Sequence, residues 1–84
     1  MVARSAVTFA ELRQHLLDLG FTESKQGKFW HFEHAPSETS VTYRPYRARE
    51  RVTLLDIHRT RRHLDLRGVL GEQAFDDLLK KATA

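Results

Sequence analysis

The chain has 84 residues, close to the smallest size at which one hydrophobic core suffices without disulfides or bound metal, so a single domain over 1–84 is expected. It contains no cysteine, which excludes disulfide bridges and thiolate-bound zinc and favours a cytoplasmic protein. No segment approaches the about 20 apolar residues of a membrane-spanning helix, so no membrane partner is expected.

The positive charge is concentrated in one third of the chain. Residues 41–67 hold eight arginines and three acidic residues, a net charge of +5, whereas the whole chain carries only +3. Arginine suits phosphate and stacking contacts better than lysine does. The distribution therefore fits a nucleic-acid-binding surface, and it fits a solvated face of salt bridges equally well.

A first helix is predicted between Thr8 and Gly20. Thr8 and Glu11 have the spacing of a capping box, in which each side chain binds the other residue's backbone N–H. Apolar residues then recur at steps of three and four and predict one buried stripe: Phe9, Leu12, Leu16 and Leu19. Gly20 is expected to end the helix in a left-handed conformation, with Phe21 folding back onto Leu16 in a Schellman motif.

Two strands are predicted over 21–25 and 28–34, joined by a two-residue turn at Gln26-Gly27. Because side chains alternate along a strand, Trp30 and Phe32 are expected to face a helix-covered core. The residues Phe29, His31 and Glu33 then point to an open face.

A polar loop over 35–39 and a third strand from Ser40 to Arg44 complete a second predicted hairpin. Val41 and Tyr43 are expected to face inward, with Thr42 and Arg44 facing outward. Pro45 ends this strand because proline cannot continue a ladder of backbone hydrogen bonds.

A second capping box, from Thr53 to Asp56, predicts another helix that ends at Gly68. Its expected apolar stripe is Leu54, Ile57 and Leu64, with the stem of Arg61 along the edge. A final helix is predicted over 71–82, with Phe75 and Leu78 on its apolar side. The predicted fold class is α+β, with the order α-β-β-β-α and an extra C-terminal helix.

This order of elements resembles the HicA family of bacterial type II toxin–antitoxin systems, whose fold is similar to a double-stranded RNA-binding domain. The resemblance covers roughly residues 8–66 and gives a domain core over 8–67. It is carried by Leu19-Gly20-Phe21, Gly27, Phe32-Glu33-His34, Val41, Arg44-Pro45 and Thr53-Leu54. Members of the family are ribonucleases that cleave messenger RNA, and an antitoxin covers their active surface. The resemblance therefore implies RNA and a HicB-like antitoxin as partners.

The chain departs from the family at its catalytic position. The family's catalytic histidine follows a Gly-Ser pair on the second strand; here Gly27 is retained, Lys28 replaces the serine and Phe29 replaces the histidine. A phenylalanine side chain cannot transfer a proton at any pH, whereas an imidazole titrates near neutrality. His31 is two residues further along the same face, about 7 Å away by strand rise, and is a weak catalytic candidate.

The sequence thus predicts a small RNA-binding, HicA-like protein that is a weak or inactive ribonuclease. The alternative is a protein-interaction module that docks an acidic, antitoxin-like partner on the same face without binding RNA. A further alternative for Phe29 is packing beneath the C-terminal helix. No cofactor and no metal site is predicted, since the histidine pairs diverge and no glycine-rich phosphate loop is present. The predicted RNA-binding residues are Lys28, Phe29, His31, Arg44, Arg47, Arg49 and Arg51.

Overall fold

A computed structural model describes the backbone of residues 4–83 and the side chains of residues 4–80. It is an α+β structure in which helices pack on one side of a small antiparallel sheet. The helices are α1 (Phe9–Asp18), α2 (Leu54–Leu66) and α3 (Glu72–Thr83). The strands are β1 (Arg4–Thr8), β2 (Thr22–Gln26), β3 (Phe29–His34), β4 (Thr39–Tyr43) and β5 (Arg51–Thr53). Among the described helices, none combines the length and apolar character needed to cross a membrane.

Both predicted ends of α1 are confirmed. The Thr8 hydroxyl accepts a hydrogen bond from the Glu11 backbone N–H, and the Glu11 carboxylate accepts one from the Thr8 N–H. At the other end Gly20 has a φ of +99°, and the Phe21 N–H donates to the Leu16 carbonyl at 3.0 Å. These local bonds fix where α1 begins and ends, and hence where β2 leaves it.

The predicted turn between β2 and β3 is wrong by one residue. The two connecting residues are Gly27 and Lys28, so that Gln26 pairs with Phe29 across the hairpin. Gly27 has a φ of +64°, as a type II′ turn requires at its first central position. A turn over Gln26-Gly27 would instead have placed glycine second, leaving glutamine to adopt the positive φ that a type I′ turn demands there.

The predicted faces of the sheet are confirmed, although β4 begins at Thr39 rather than Ser40 and ends at Tyr43 rather than Arg44. The order of the three strands is β2-β3-β4. Phe32 and Tyr43 are buried on the helix side, whereas Phe29 and Thr42 are exposed on the other.

An aromatic cluster around Phe9 joins α1 to the sheet. The Phe9 ring is 1% exposed and contacts four other aromatic rings at centroid distances between 5.2 and 6.3 Å. Its neighbours come from β3, β4 and the segment after β4: Trp30, Phe32, Tyr43 and Tyr46. One side chain of α1 thereby holds two strands and a loop together.

The segment after β4 also caps the start of α1. The backbone N–H groups of Phe9 and Ala10 donate to the carbonyls of Glu50 and Ala48, at 2.8 and 2.9 Å. These amides lie in the first turn of a helix and have no partner within it. The chain then pairs β5 with β1 in a two-stranded antiparallel ribbon that the sequence analysis did not predict.

The start of α2 differs from the predicted capping box. The Thr53 hydroxyl accepts a hydrogen bond from the Asp56 N–H as expected, but the Asp56 carboxylate accepts a bond from the Tyr46 phenol. The Thr53 N–H donates to the oxygen of the same phenol at 3.2 Å. Tyr46, which lies in the loop before β5, therefore takes the place of the reciprocal bond.

The predicted apolar stripe of α2 needs one correction. Leu54 is 40% exposed, whereas Ile57 and Leu64 are buried as expected. Thr60 completes the buried side, since it lies one turn from both and its hydroxyl is 2.6 Å from the phenol oxygen of Tyr43. A polar residue can lie here because its hydroxyl is hydrogen-bonded.

Replacement of Phe9 by alanine is expected to lower the free energy of unfolding by about 3–5 kcal/mol, because it leaves a cavity among four rings. Phe9→Leu, which retains most of the volume, should cost clearly less. Urea denaturation followed by the fluorescence of Trp30, the single tryptophan, measures both changes. A loss below about 1 kcal/mol for Phe9→Ala would show that the cluster does not anchor α1.

An ion pair joins α1 to β2 and predicts a pH dependence of stability. The Arg13 guanidinium donates two hydrogen bonds of 2.7 Å to the Glu23 carboxylate. These bonds lower the pKa of Glu23 below its ordinary value of 4.5. Their stabilising contribution is therefore complete above that value and disappears as the pH falls through the lowered pKa.

Glu23→Gln is accordingly expected to lower the free energy of unfolding by up to about 1 kcal/mol near neutral pH. The difference from the wild type should shrink as the pH falls through the lowered pKa and vanish at about pH 2, where the wild-type carboxyl is protonated too. Urea denaturation at both pH values measures it, with the exposed Glu38→Gln as a matched control. A difference that stays constant between the two pH values would contradict the assignment.

Candidate functional site

One face of the three-stranded sheet is left uncovered by the described residues. We call it the open face. Its strand side chains are Thr22, Ser24 and Gln26 from β2, Phe29, His31 and Glu33 from β3, and Ser40 and Thr42 from β4. All of them are exposed except His31, which is half-buried. A small sheet with helices on one side presents such a face to whatever the protein binds.

Phe29 is the large apolar side chain of this face and is 52% exposed. The alternative that it packs beneath the C-terminal helix is wrong. Helix α3 packs against α2, α1 and β1, and its Phe75 is 2% exposed within the main core. The Phe29 ring is therefore presented to solvent.

Positive side chains flank Phe29 at one end of the open face. Lys28 is exposed in the turn immediately before it. Trp30 pairs with Tyr43, the last residue of β4, and Arg44 follows where the chain leaves the sheet. The guanidinium of Arg44 lies 5.6 Å from the centre of the Tyr46 ring, a stacking contact that restrains it. Lys28, Phe29 and Arg44 therefore lie at the same end of the sheet, where β3 begins and β4 has just ended.

Three further predicted residues, Arg47, Arg49 and Arg51, lie outside the open face. All are exposed on the segment that runs from the sheet to the start of α1 and into β5. Glu50 in the same segment is 3.0 Å from the Arg4 guanidinium. The backbone N–H of Arg47, together with that guanidinium, lowers the pKa of Glu50. The segment therefore extends the positive surface beyond the sheet and contains one neutralising carboxylate.

His31 is held between two polar side chains. Its Nδ1 is 3.1 Å from the Thr42 hydroxyl, and its Nε2 is 2.9 Å from a carboxylate oxygen of Glu33. Only 12% of its side chain is exposed, although it lies on the open face. Glu33 was predicted to share this face, but Thr42 becomes a partner only through the pairing of β3 with β4.

A hydroxyl, an imidazole and a carboxylate in a row can move a proton in principle. In this arrangement both ring nitrogens already have partners, and the hydroxyl belongs to the protein itself. His31 would act as a base on a substrate hydroxyl only after that hydroxyl displaced Thr42 from Nδ1. The resting geometry therefore favours a binding or structural role for His31.

His34 lies on the opposite side of the sheet from His31, as the alternation of side chains predicted. Its ring is 5.1 Å from the Phe21 ring, and its Nδ1 is 2.7 Å from the Ser37 hydroxyl. The two histidines cannot share a ligand. Across the described residues, histidine, aspartate and glutamate form no cluster of three or more that could hold a metal ion.

Comparison with known proteins assigns no family to the chain. It matches no family model, no curated protein and no solved structure. Nothing in these comparisons identifies a HicA-like family, so the resemblance to HicA toxins stays a prediction from the sequence.

Proposed function

We propose that the protein is a HicA-like domain that binds single-stranded RNA and has weak or no ribonuclease activity. The observation that carries the proposal is the half-exposed ring of Phe29 directly after Lys28, at the end of the sheet where β4 leads into Arg44. The order α1-β2-β3-β4, followed after the short β5 by α2, supports the proposal, because a fold similar to a double-stranded RNA-binding domain has a helix, three strands and a second helix in this sequence.

An exposed aromatic ring flanked by cations suits an unpaired nucleotide. Every base presents a π-face, so Phe29 can stack on one without regard to its identity, which is worth about 1–3 kcal/mol per base. In this proposal Lys28 and Arg44 contact the adjoining phosphates, and a guanidinium can contact two phosphate oxygens at once. Arg47, Arg49 and Arg51 lengthen the path that the RNA backbone follows.

The proposed loss of cleavage follows from proton transfer. Hydrolysis of RNA through its 2′-hydroxyl requires a group that removes the hydroxyl proton, and the phenylalanine ring has no such atom. His31 is the nearest imidazole on the face, and its two nitrogens are already bonded to Thr42 and Glu33. Binding without turnover is therefore the expected behaviour.

Docking of an acidic, antitoxin-like protein on the open face is the competing proposal. The same cations and the same ring would serve it, since charge complementarity and a central aromatic side chain also characterise protein interfaces. The two proposals differ in what they predict for RNA alone. Only the first one expects affinity for an oligoribonucleotide in the absence of any protein partner.

Binding of a single-stranded oligoribonucleotide is expected to weaken with salt. Contacts to four to six phosphates give a slope of log K against log salt of about −3 to −4. Phe29→Ala should weaken binding by a further factor of about 5 to 150 at constant salt through lost stacking. Filter binding across a salt series measures both, with Leu55→Ala as a matched control at an exposed leucine in α2.

If the oligoribonucleotide does not bind even at low salt, the RNA proposal is wrong and the antitoxin-like partner is favoured. Binding that is independent of salt, or equal losses for Phe29→Ala and Leu55→Ala, would show that the open face is not the RNA surface.

Restoration of the family's residues should restore some cleavage. The double variant Lys28→Ser with Phe29→His rebuilds the Gly-Ser-His sequence at the turn into β3 and supplies an imidazole for proton transfer to a bound RNA. We expect detectable cleavage of a fluorescent RNA by this variant and far less by the wild type. The matched control Phe29→Gln adds a polar side chain without a titratable nitrogen and should remain inactive. Strong wild-type cleavage that disappears in His31→Ala would overturn the proposal and make His31 the base.

A further inference from the structure

The outer edge of β4 is open to pairing with another strand. The strand order leaves β2 and β4 at the edges, and no described strand pairs with the outer side of either. A two-residue hairpin turn closes on a hydrogen-bonded pair, here Gln26 with Phe29, and bonded and non-bonded pairs then alternate. The same alternation continues from β3 into β4. The backbone N–H and C=O groups of Ser40 and Thr42 therefore point away from β3, to the outer edge of β4.

The two edges differ in how they are protected. β2 carries the charged residues Glu23 and Lys25, and the Lys25 ammonium lies 4.5 Å from the Trp30 ring centre. Charged side chains of this kind discourage another strand from adding to an edge. β4 reads Thr-Ser-Val-Thr-Tyr, with neither a charged residue nor a proline. β4 therefore has none of these features that discourage the addition of a strand.

A groove of about 390 Å³ runs along this edge, between β4 and α2. The hydrogen bond of Tyr43 to Thr60 sets the spacing of its walls. From α2 the groove is lined by Arg59, Arg62 and Leu66, which fall on one side of the helix at steps of three and four. Leu66, the last residue of α2, is 70% exposed.

The charge of the groove is positive. Arg59 and Arg62 are exposed and form no ion pair within the described part of the chain. Arg61, on another side of the same helix, is paired with Asp76 and Glu72 of α3. The single carboxylate of the groove, Asp56, already accepts a hydrogen bond from Tyr46.

We propose that this groove binds an extended, acidic segment of a partner protein, which adds to the sheet as a strand beside β4. The peptide groups of Ser40 and Thr42 supply the backbone hydrogen bonds, while alternate side chains of the segment reach α2. An acidic side chain there meets Arg59 or Arg62, and an apolar one covers Leu66. β4 has five residues, which gives a paired length of about 17 Å.

A second copy of this chain is a poor occupant of the groove. Its own β4 contains no acidic residue, so it would bring nothing to pair with Arg59 and Arg62. Pairing of β4 with β4 would also place two arginine-bearing helices on a shared sheet. An acidic strand from another protein satisfies the same backbone groups without that repulsion.

A synthetic eight-residue peptide in which glutamate alternates with valine or threonine serves as the probe. We expect it to bind the full chain in a calorimetric titration, with slower hydrogen exchange at the Ser40 and Thr42 amides. The matched control peptide, with lysine in place of glutamate, should bind at least about tenfold more weakly. Arg59→Glu with Arg62→Glu should reverse this preference.

Ser40→Pro removes one outward N–H and should weaken the acidic peptide about tenfold or more. Lys25→Pro makes the same change at the other edge and should leave the affinity unaltered; thermal denaturation checks that both variants fold. If neither peptide binds, or if both bind equally, the proposal is overturned. A dimer that is seen by light scattering and that Ser40→Pro dissociates would also overturn the proposal. So would a result in which Arg59→Glu with Arg62→Glu changes RNA binding but not peptide binding.

Discussion

The contacts of the Phe9 ring are the constraint on which the rest of the structure depends. A chain of this length has room for one core, and here that core is centred on a ring from the first turn of α1. Trp30, Phe32 and Tyr43 can surround it only if β3 and β4 present those positions on the helix side. The alternation of side chains then sends Phe29 and Thr42 to the open face. Packing on one side thus determines what the other side displays.

Tyr46 carries the same constraint into the second half of the chain. Its ring stacks on Phe9, its carbonyl accepts a hydrogen bond from the Trp30 indole, and its phenol bonds to the first turn of α2. The arginine-rich segment that follows is therefore ordered rather than free, with its carbonyls bonded to the start of α1. This arrangement gives the positive surface a fixed position relative to the open face, which lowers the entropic cost of binding a ligand.

Features specified by neighbouring residues could be predicted from the sequence, and features that depend on distant pairing could not. The Thr8 cap, the Gly20 stop and the two faces of β3 are local, and each is confirmed. The β1–β5 ribbon joins residues that lie at opposite ends of most of the chain, and the role of Tyr46 at the α2 cap depends on its packing against Phe9. Leu54 was assigned to the core by spacing alone, because nothing local reveals that Thr60 fills that side with a bond to Tyr43. Phe29 was identified because its residue type conflicts with a family motif.

The central claim is that the open face binds RNA around Phe29. An NMR titration of the isotopically labelled protein with a short single-stranded oligoribonucleotide tests it most directly, because each backbone amide reports its own surroundings. The largest shifts are expected at Lys28, Phe29 and His31 and next to Arg44, while the amides of α3 stay unchanged. Shifts confined to α3, or the absence of any shift at low salt, would contradict the account.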